Sequence, residues 1–179
     1  DLQPETIAYR FVGAVAGTSL SFDPPIKGAP VTLEQSQVAD FVTSEAFTVT
    51  SQDVDHPFYV AQIMGTANLP GGTRPGATAP NYPPLLGDEE FVIVLPPAQF
   101  LSHYVFFTDP AYPTTNLVLT RHKTIDGFVD VTVDCLGVIT GWQPVGAGGR
   151  YEVATVDLMR ADVGAKGCSN GRHTASSKG

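Results

Sequence analysis

Positive charge and cysteine are both scarce in this chain. Ten Lys and Arg stand against 18 Asp and Glu, and only two cysteines, Cys135 and Cys168, occur in 179 residues. A formal net charge of −8 leaves no basic face to neutralise phosphates, which argues against nucleic acid and anionic membranes. No apolar run approaches the roughly 20 residues that a bilayer-spanning helix needs. Neither cysteine has a C-x-x-C neighbour, and His56, His103, His122 and His173 show neither H-x-x-x-H nor H-E-x-x-H spacing. Local pattern therefore offers no zinc site, and no metal is expected. G-x-S-x-G and EF-hand patterns are also missing, so no catalytic set is expected and the reading is of a non-enzyme. No signal peptide precedes Asp1, which is expected of a mature form or an excised fragment.

What is present is globular: 42% hydrophobic residues with 16% charged can bury a core. Two cysteines in an acidic, strand-rich chain favour one disulfide in an oxidising compartment over two unpaired buried thiols. The pair would close a loop of 33 residues, contributing about 3–4 kcal/mol in the chain-entropy model. Eighteen Gly and 15 Pro punctuate short apolar segments, and no sustained helical period appears, although 33–40 is compatible with one helical turn. Candidate strands are 7–15, 18–22, 31–33, 38–42, 47–51, 58–64, 90–95, 103–108, 116–121, 127–134, 137–139 and 151–158. In the run from Phe128 to Asp134 the valines fall on one face while Asp130, Thr132 and Asp134 fall on the other, the signature of a half-wet strand. Many short strands with turn residues between them predict an all-β fold built from antiparallel sandwiches or barrels.

Residues 69–87, LPGGTRPGATAPNYPPLLG, lack the backbone donors and rigidity of a central strand. They are expected to form a linker or long loop between a first β-sandwich unit, 1–68, and a second, disulfide-bearing unit, 88–179. The two portions are faintly alike. Ser19–Phe22, Pro30-Val31 and Val38–Val42 have counterparts in Asn116–Leu119, Pro144-Val145 and Tyr151–Val156, which raises an internal duplication.

Longer motifs carry a resemblance. Ser51-Gln52-Asp53-Val54-Asp55-His56-Pro57-Phe58-Tyr59, Pro96-Pro97-Ala98-Gln99-Phe100, Tyr104-Val105-Phe106-Phe107-Thr108-Asp109-Pro110, Asp134-Cys135, Gly141-Trp142, Gly148-Gly149-Arg150-Tyr151-Glu152 and Gly167-Cys168 through Asn170-Gly171-Arg172-His173 resemble the N-terminal domain of IgG-Fc-binding protein, in its bacterial secreted and surface form. The resemblance spans nearly the whole chain and implies an extracellular all-β module with a role in binding or adhesion. It supplies no residue set for antibody binding that can be matched position by position. It also implies a chain continuing past Gly179 into another apolar strand, so the second sandwich is expected to lack a final strand and to end in the polar tail 167–179. An unpaired edge of that kind invites self-assembly or strand addition.

Candidate ligand-binding residues are the aromatics on Pro- and Gly-supported loops, Tyr82, Tyr112 and Trp142, whose rings suit sugars or a protein anchor. The competing reading of Trp142 is a ring that caps the core beside the disulfide. Asp53 with Asp55, and Asp88-Glu89-Glu90, supply oxygens of the kind calcium takes. Acidic turn residues that bond their own backbone explain the same pattern. The function expected is a secreted or cell-surface adhesion and recognition module for a protein or glycoprotein. A carbohydrate-binding module and a structural subunit of an extracellular fibre or coat, completed by a neighbour's strand, are the alternatives.

Overall fold

The computed structural model describes residues 6–64 and 90–178. The chain is almost entirely β, with antiparallel pairing throughout its described ladders. It divides into two compact units, Asp1–Leu95 and Pro96–Gly179.

In the first unit β1 (Ile7–Gly13), β2 (Thr18–Asp23), β3 (Thr32–Leu33), β4 (Val38–Thr43), β5 (Thr48–Ser51), β6 (Phe58–Met64) and β7 (Glu90–Ile93) form two sheets. Their orders are β4-β1-β6-β7 and β3-β2-β5. Strand β2 shows why: Thr18 and Leu20 are buried while Ser19 and Ser21 are exposed, the period-2 pattern of a strand with one dry face. Phe11 of β1 is wholly buried and packs with Leu20, Leu33 and Phe41. Its ring lies 5.4 Å from Phe41, 5.8 Å from Phe58 and 5.8 Å from Phe22, all within the range of favourable aromatic pairs. The segment 33–40 contains no helical turn. Gln37 donates its backbone N–H to Glu34 O at 3.0 Å, its side-chain oxygen accepts from Glu34 N, and Ser36 sits at φ 60°, so a tight turn links β3 to β4.

Strand β7 pairs with β6, Phe91 opposite Ile63 and Ile93 opposite Ala61. Sequence punctuation opens the second unit at residue 88, whereas this pairing places Glu90–Ile93 in the first unit's sheet. The 69–87 segment expected to act as linker lies outside the described residues, as do Tyr82, Asp88 and Glu89.

The second unit contains β8 (His103–Thr108), β9 (Thr115–His122), β10 (Val131–Val133), β11 (Gly137–Val138), β12 (Gln143–Val145), β13 (Tyr151–Arg160), β14 (Val163–Gly164) and β15 (Gly171–Ser177). One sheet runs β11-β10-β15-β8, and the other runs β12-β13-β14 with β9 paired to β13. The core gathers Val133, Leu136, Ile139, Ala154, Leu158, Cys168 and Ala175, with Phe106, Leu117, Leu119 and Trp142 packed around it. The polar tail is not a tail: its residues 171–177 form β15, which lies inside the sheet between β10 and β8. Cys135 and Cys168 are joined as a disulfide. Gly164 allows the chain to pass this bond, since a Cβ there would overlap the Cys168 carbonyl oxygen.

The suggested duplication meets a topological difference. Strand β2 pairs β3 and β5 while β4 pairs β1, but their counterparts β9 and β13 pair with each other.

Truncating Phe11 to Ala is expected to destabilise the first unit by about 3–5 kcal/mol. The single tryptophan, Trp142, lies in the second unit. Guanidinium unfolding should therefore show an earlier far-UV circular dichroism transition with an unmoved Trp fluorescence midpoint. Equal movement of both would join the units into one cooperative block.

Candidate functional site

The densest polar cluster with buried members forms where β10 hands over to β11 and β15 begins. Asp134 ends the β10 ladder, and its carboxylate accepts three protein donors. Oδ1 receives the Cys135 backbone N–H at 2.8 Å and faces His173 Nδ1 at 3.0 Å, while Oδ2 receives Thr174 N–H at 3.0 Å. His173 is buried, at 5% exposure, and its Nε2 donates to Ser169 O at 2.7 Å. Its Nδ1 lies 3.8 Å from Cys135 Sγ. Both ring nitrogens are thus engaged, as a buried polar side chain requires. The His173 contact is the largest influence holding the Asp134 carboxyl below the ordinary aspartate range; desolvation, next in size, opposes it, and the Thr174 and Cys135 backbone N–H groups add to the lowering. Asp134, Cys135 and His173 are the one group of three or more potential metal-ligating residues found among the described residues. Local spacing hides it because its members are contributed by 134–135 and 173.

Trp142 does not present an open ring. Its Nε1 donates to Ile139 O at 3.1 Å, it packs on the core around the disulfide, and the Arg121 guanidinium lies 4.2 Å over its ring. Arg121 is itself fixed by Nε and NH2 to Glu152 at 2.9 and 2.6 Å, and by NH1 to Val129 O at 2.9 Å. A half-buried pair with these contacts is a stacked structural element. Tyr112 differs: its ring is 53% exposed, while its backbone is held by Asp109 O and by the Asn170 side-chain amide.

The acidic turn before β6 is satisfied locally. Asp53 Oδ1 accepts the Asp55 backbone N–H at 3.0 Å and meets His56 Nδ1 at 2.6 Å. The His56 contact is the largest influence lowering the Asp53 carboxyl from its ordinary value. A shallow cleft of about 330 Å³ in the second unit is lined by Phe100, Tyr104, Leu119, Arg121, His122 and Ser176, among others. The Arg121 donors are committed to Glu152 and Val129, which leaves apolar walls edged by hydroxyls and the His122 ring.

Apolar surface is also concentrated at strand β7. Phe91, Val92, Ile93, Val94 and Leu95 form an unbroken run, each between 44% and 55% exposed. Among the described residues β7 closes its sheet order, with β6 on one side only. Sequence reasoning located this strand but gave it no binding role; an uncharged five-residue run beside Pro96-Pro97 was the available signal.

The described residues thus form an all-β, disulfide-bonded module with apolar surface at and just after β7. A family model described as IgGFc binding protein matches residues 2–179, and the chain belongs to that family. The family points to a protein-binding recognition module. No curated protein and no solved structure matches the chain.

The Asp134 carboxylate has a lowered folded-state pKa, so its contribution to stability is complete above the unfolded value. It is lost as pH falls from about 4 through the folded value. Asp134→Asn is therefore expected to lower the second unit's melting temperature near neutral pH, with the gap from wild type narrowing toward pH 3. A gap constant with pH would mean that the amide–carboxylate difference is one of packing alone.

Proposed function

We propose that this chain is a secreted or cell-surface recognition module that binds a protein or glycoprotein partner without catalysis, through the apolar edge at β7. The observation that carries the reading is the run Phe91–Leu95. Five consecutive exposed apolar residues, three of them on β7 and two just after it, are costly to leave in water. A strand edge also offers backbone donors and acceptors to an extended partner segment, with alternate side chains contacting it on each face. Family membership supports the protein-binding part, and the disulfide supports the oxidising, extracellular setting. The described strand architecture supports two sandwich-like units, with 69–87 falling between β6 and β7 of the first and not between the two.

The exposed Tyr112 ring supports a second reading, in which sugars on a glycoprotein are contacted by stacking. A structural subunit completed by a neighbour's strand would use the same β7 edge.

The test is binding of immobilised protein to native mucin, deglycosylated mucin and IgG Fc, with Ile93→Lys and Tyr112→Ala alongside wild type. Protein recognition at β7 predicts signal that survives deglycosylation and falls at least about tenfold in Ile93→Lys, since a central apolar anchor carries more than 1.4 kcal/mol. Signal confined to native mucin and lost in Tyr112→Ala would put the sugar reading first. Silence throughout, with self-association of wild type abolished by Ile93→Lys, would put the structural subunit first.

A further inference from the structure

We propose that reduction of the Cys135–Cys168 disulfide exposes a four-ligand site for a borderline-soft divalent cation of the zinc class, made by Cys135 Sγ, Cys168 Sγ, His173 Nδ1 and an Asp134 carboxylate oxygen. This inference is independent of how the module meets its partner.

The donor set is assembled before any metal arrives. The ligand atoms of Asp134, Cys135 and His173 lie within 4.8 Å of one another, and Cys168 Sγ is bonded to Cys135 Sγ. His173 Nδ1 stands 3.0 Å from Asp134 Oδ1 and 3.8 Å from Cys135 Sγ. Bonds of about 2.0–2.3 Å to nitrogen, oxygen and sulfur place neighbouring ligands of a tetrahedron about 3.3–3.8 Å apart. The two His173 separations thus fall near a coordination edge, and the two sulfurs, now bonded, would move apart to one on reduction. Thiolates with an imidazole select zinc-like ions over calcium or magnesium.

Two further features match a metal site more closely than a chance cluster. Nε2 of His173 donates to Ser169 O at 2.7 Å, the outer hydrogen bond that orients a ligating imidazole, and a metal at Nδ1 would displace the proton that now faces Asp134 Oδ1. Asp134 is aimed by the backbone N–H groups of Cys135 and Thr174. His173 stands on β15, while Asp134 and Cys135 lie in the turn directly after β10, whose Val133 pairs with Ala175 of β15, so the sheet anchors the imidazole and the base of that turn. Two thiolates and one carboxylate give three negative charges, which a divalent cation reduces to one.

The chemistry balances with a low-molecular-weight thiol as reductant. Two thiols donate two electrons and two protons, their sulfurs join as a new disulfide, and Cys135 and Cys168 are left as thiols. Metal binding then releases to solvent the two thiol protons and the proton that His173 Nδ1 directs at Asp134. In an oxidising medium the disulfide persists; on entry into a thiol-rich medium the same four residues would hold the ion.

The test uses the full chain, reduced with a phosphine that is then removed under argon, and titrated with Co(II). The expected result is one equivalent bound, with sulfur-to-cobalt charge-transfer absorption and intense tetrahedral visible bands that Zn(II) abolishes. The oxidised chain should show neither. His173→Ala and Asp134→Asn should each retain the sulfur charge-transfer band but bind at least about tenfold more weakly. Absence of the bands in the reduced chain, folded or unfolded, would overturn the site. So would affinity unchanged in both variants, which would reduce it to two thiols binding metal on their own.

Discussion

The second unit depends on how a polar strand is held in the middle of a sheet. Strand β15 has no run of apolar residues to anchor it, only His173 and Ala175 facing the core. A buried imidazole is unfavourable unless both nitrogens find partners, and Asp134 with Ser169 supplies them. The disulfide fastens the approach to β15 onto the exit from β10, and Asp134 accepts a backbone donor from each side of that junction. Covalent bond, carboxylate and imidazole therefore act on one joint. Once β15 is fixed there, it pairs with β8 from Gly171 to Ser176, and the far edge of the sheet is built on it.

The first unit reaches the same end by a different route. It has no disulfide among its described residues. Phe11, Phe22, Phe41, Phe47 and Phe58, with Tyr9, form a continuous set of ring contacts between its sheets. Large rings bury much apolar area per residue and lose little side-chain entropy, so a few suffice to hold short strands. Among the described residues this core does not cover β7, where Phe91, Val92 and Ile93 stay about half exposed. The site of proposed recognition is thus the place where the unit's own packing ends.

Much of the fold was legible because a strand's period of two is written directly into its side chains. The alternation of β9, with Leu117 and Leu119 turned inward and Val118 outward, needs no tertiary knowledge. Neither does the pairing of the two cysteines, which composition already favoured. Strand β15 was not legible, because Gly171-Arg172-His173-Thr174-Ala175-Ser176-Ser177 carries none of the apolar alternation that marks a buried strand. Its inward polar residue is tolerated only with Asp134, 39 positions away in sequence, as partner to one nitrogen while nearby Ser169 serves the other. Trp142 carried two readings, a ligand-binding ring beside Gly141 and a cap on the core, and the Arg121 guanidinium stacked on it comes from strand β9. The turn over 33–40 shows a milder version, since its polar spacing suits a helical turn equally until Gln37 folds back on Glu34.

The sequence by itself determined the β class, the acidic character, the disulfide and the family, because composition, period-two patterning and whole-chain motifs are properties of order along the chain. Only the tertiary structure decided that the polar C-terminal segment is an interior strand. It alone joined Glu90–Ile93 to the first unit's sheet, and it alone brought Asp134, His173 and both sulfurs together. Each of those outcomes rests on pairing between distant segments, and hydrogen bonds between strands leave no local trace in the residues that make them.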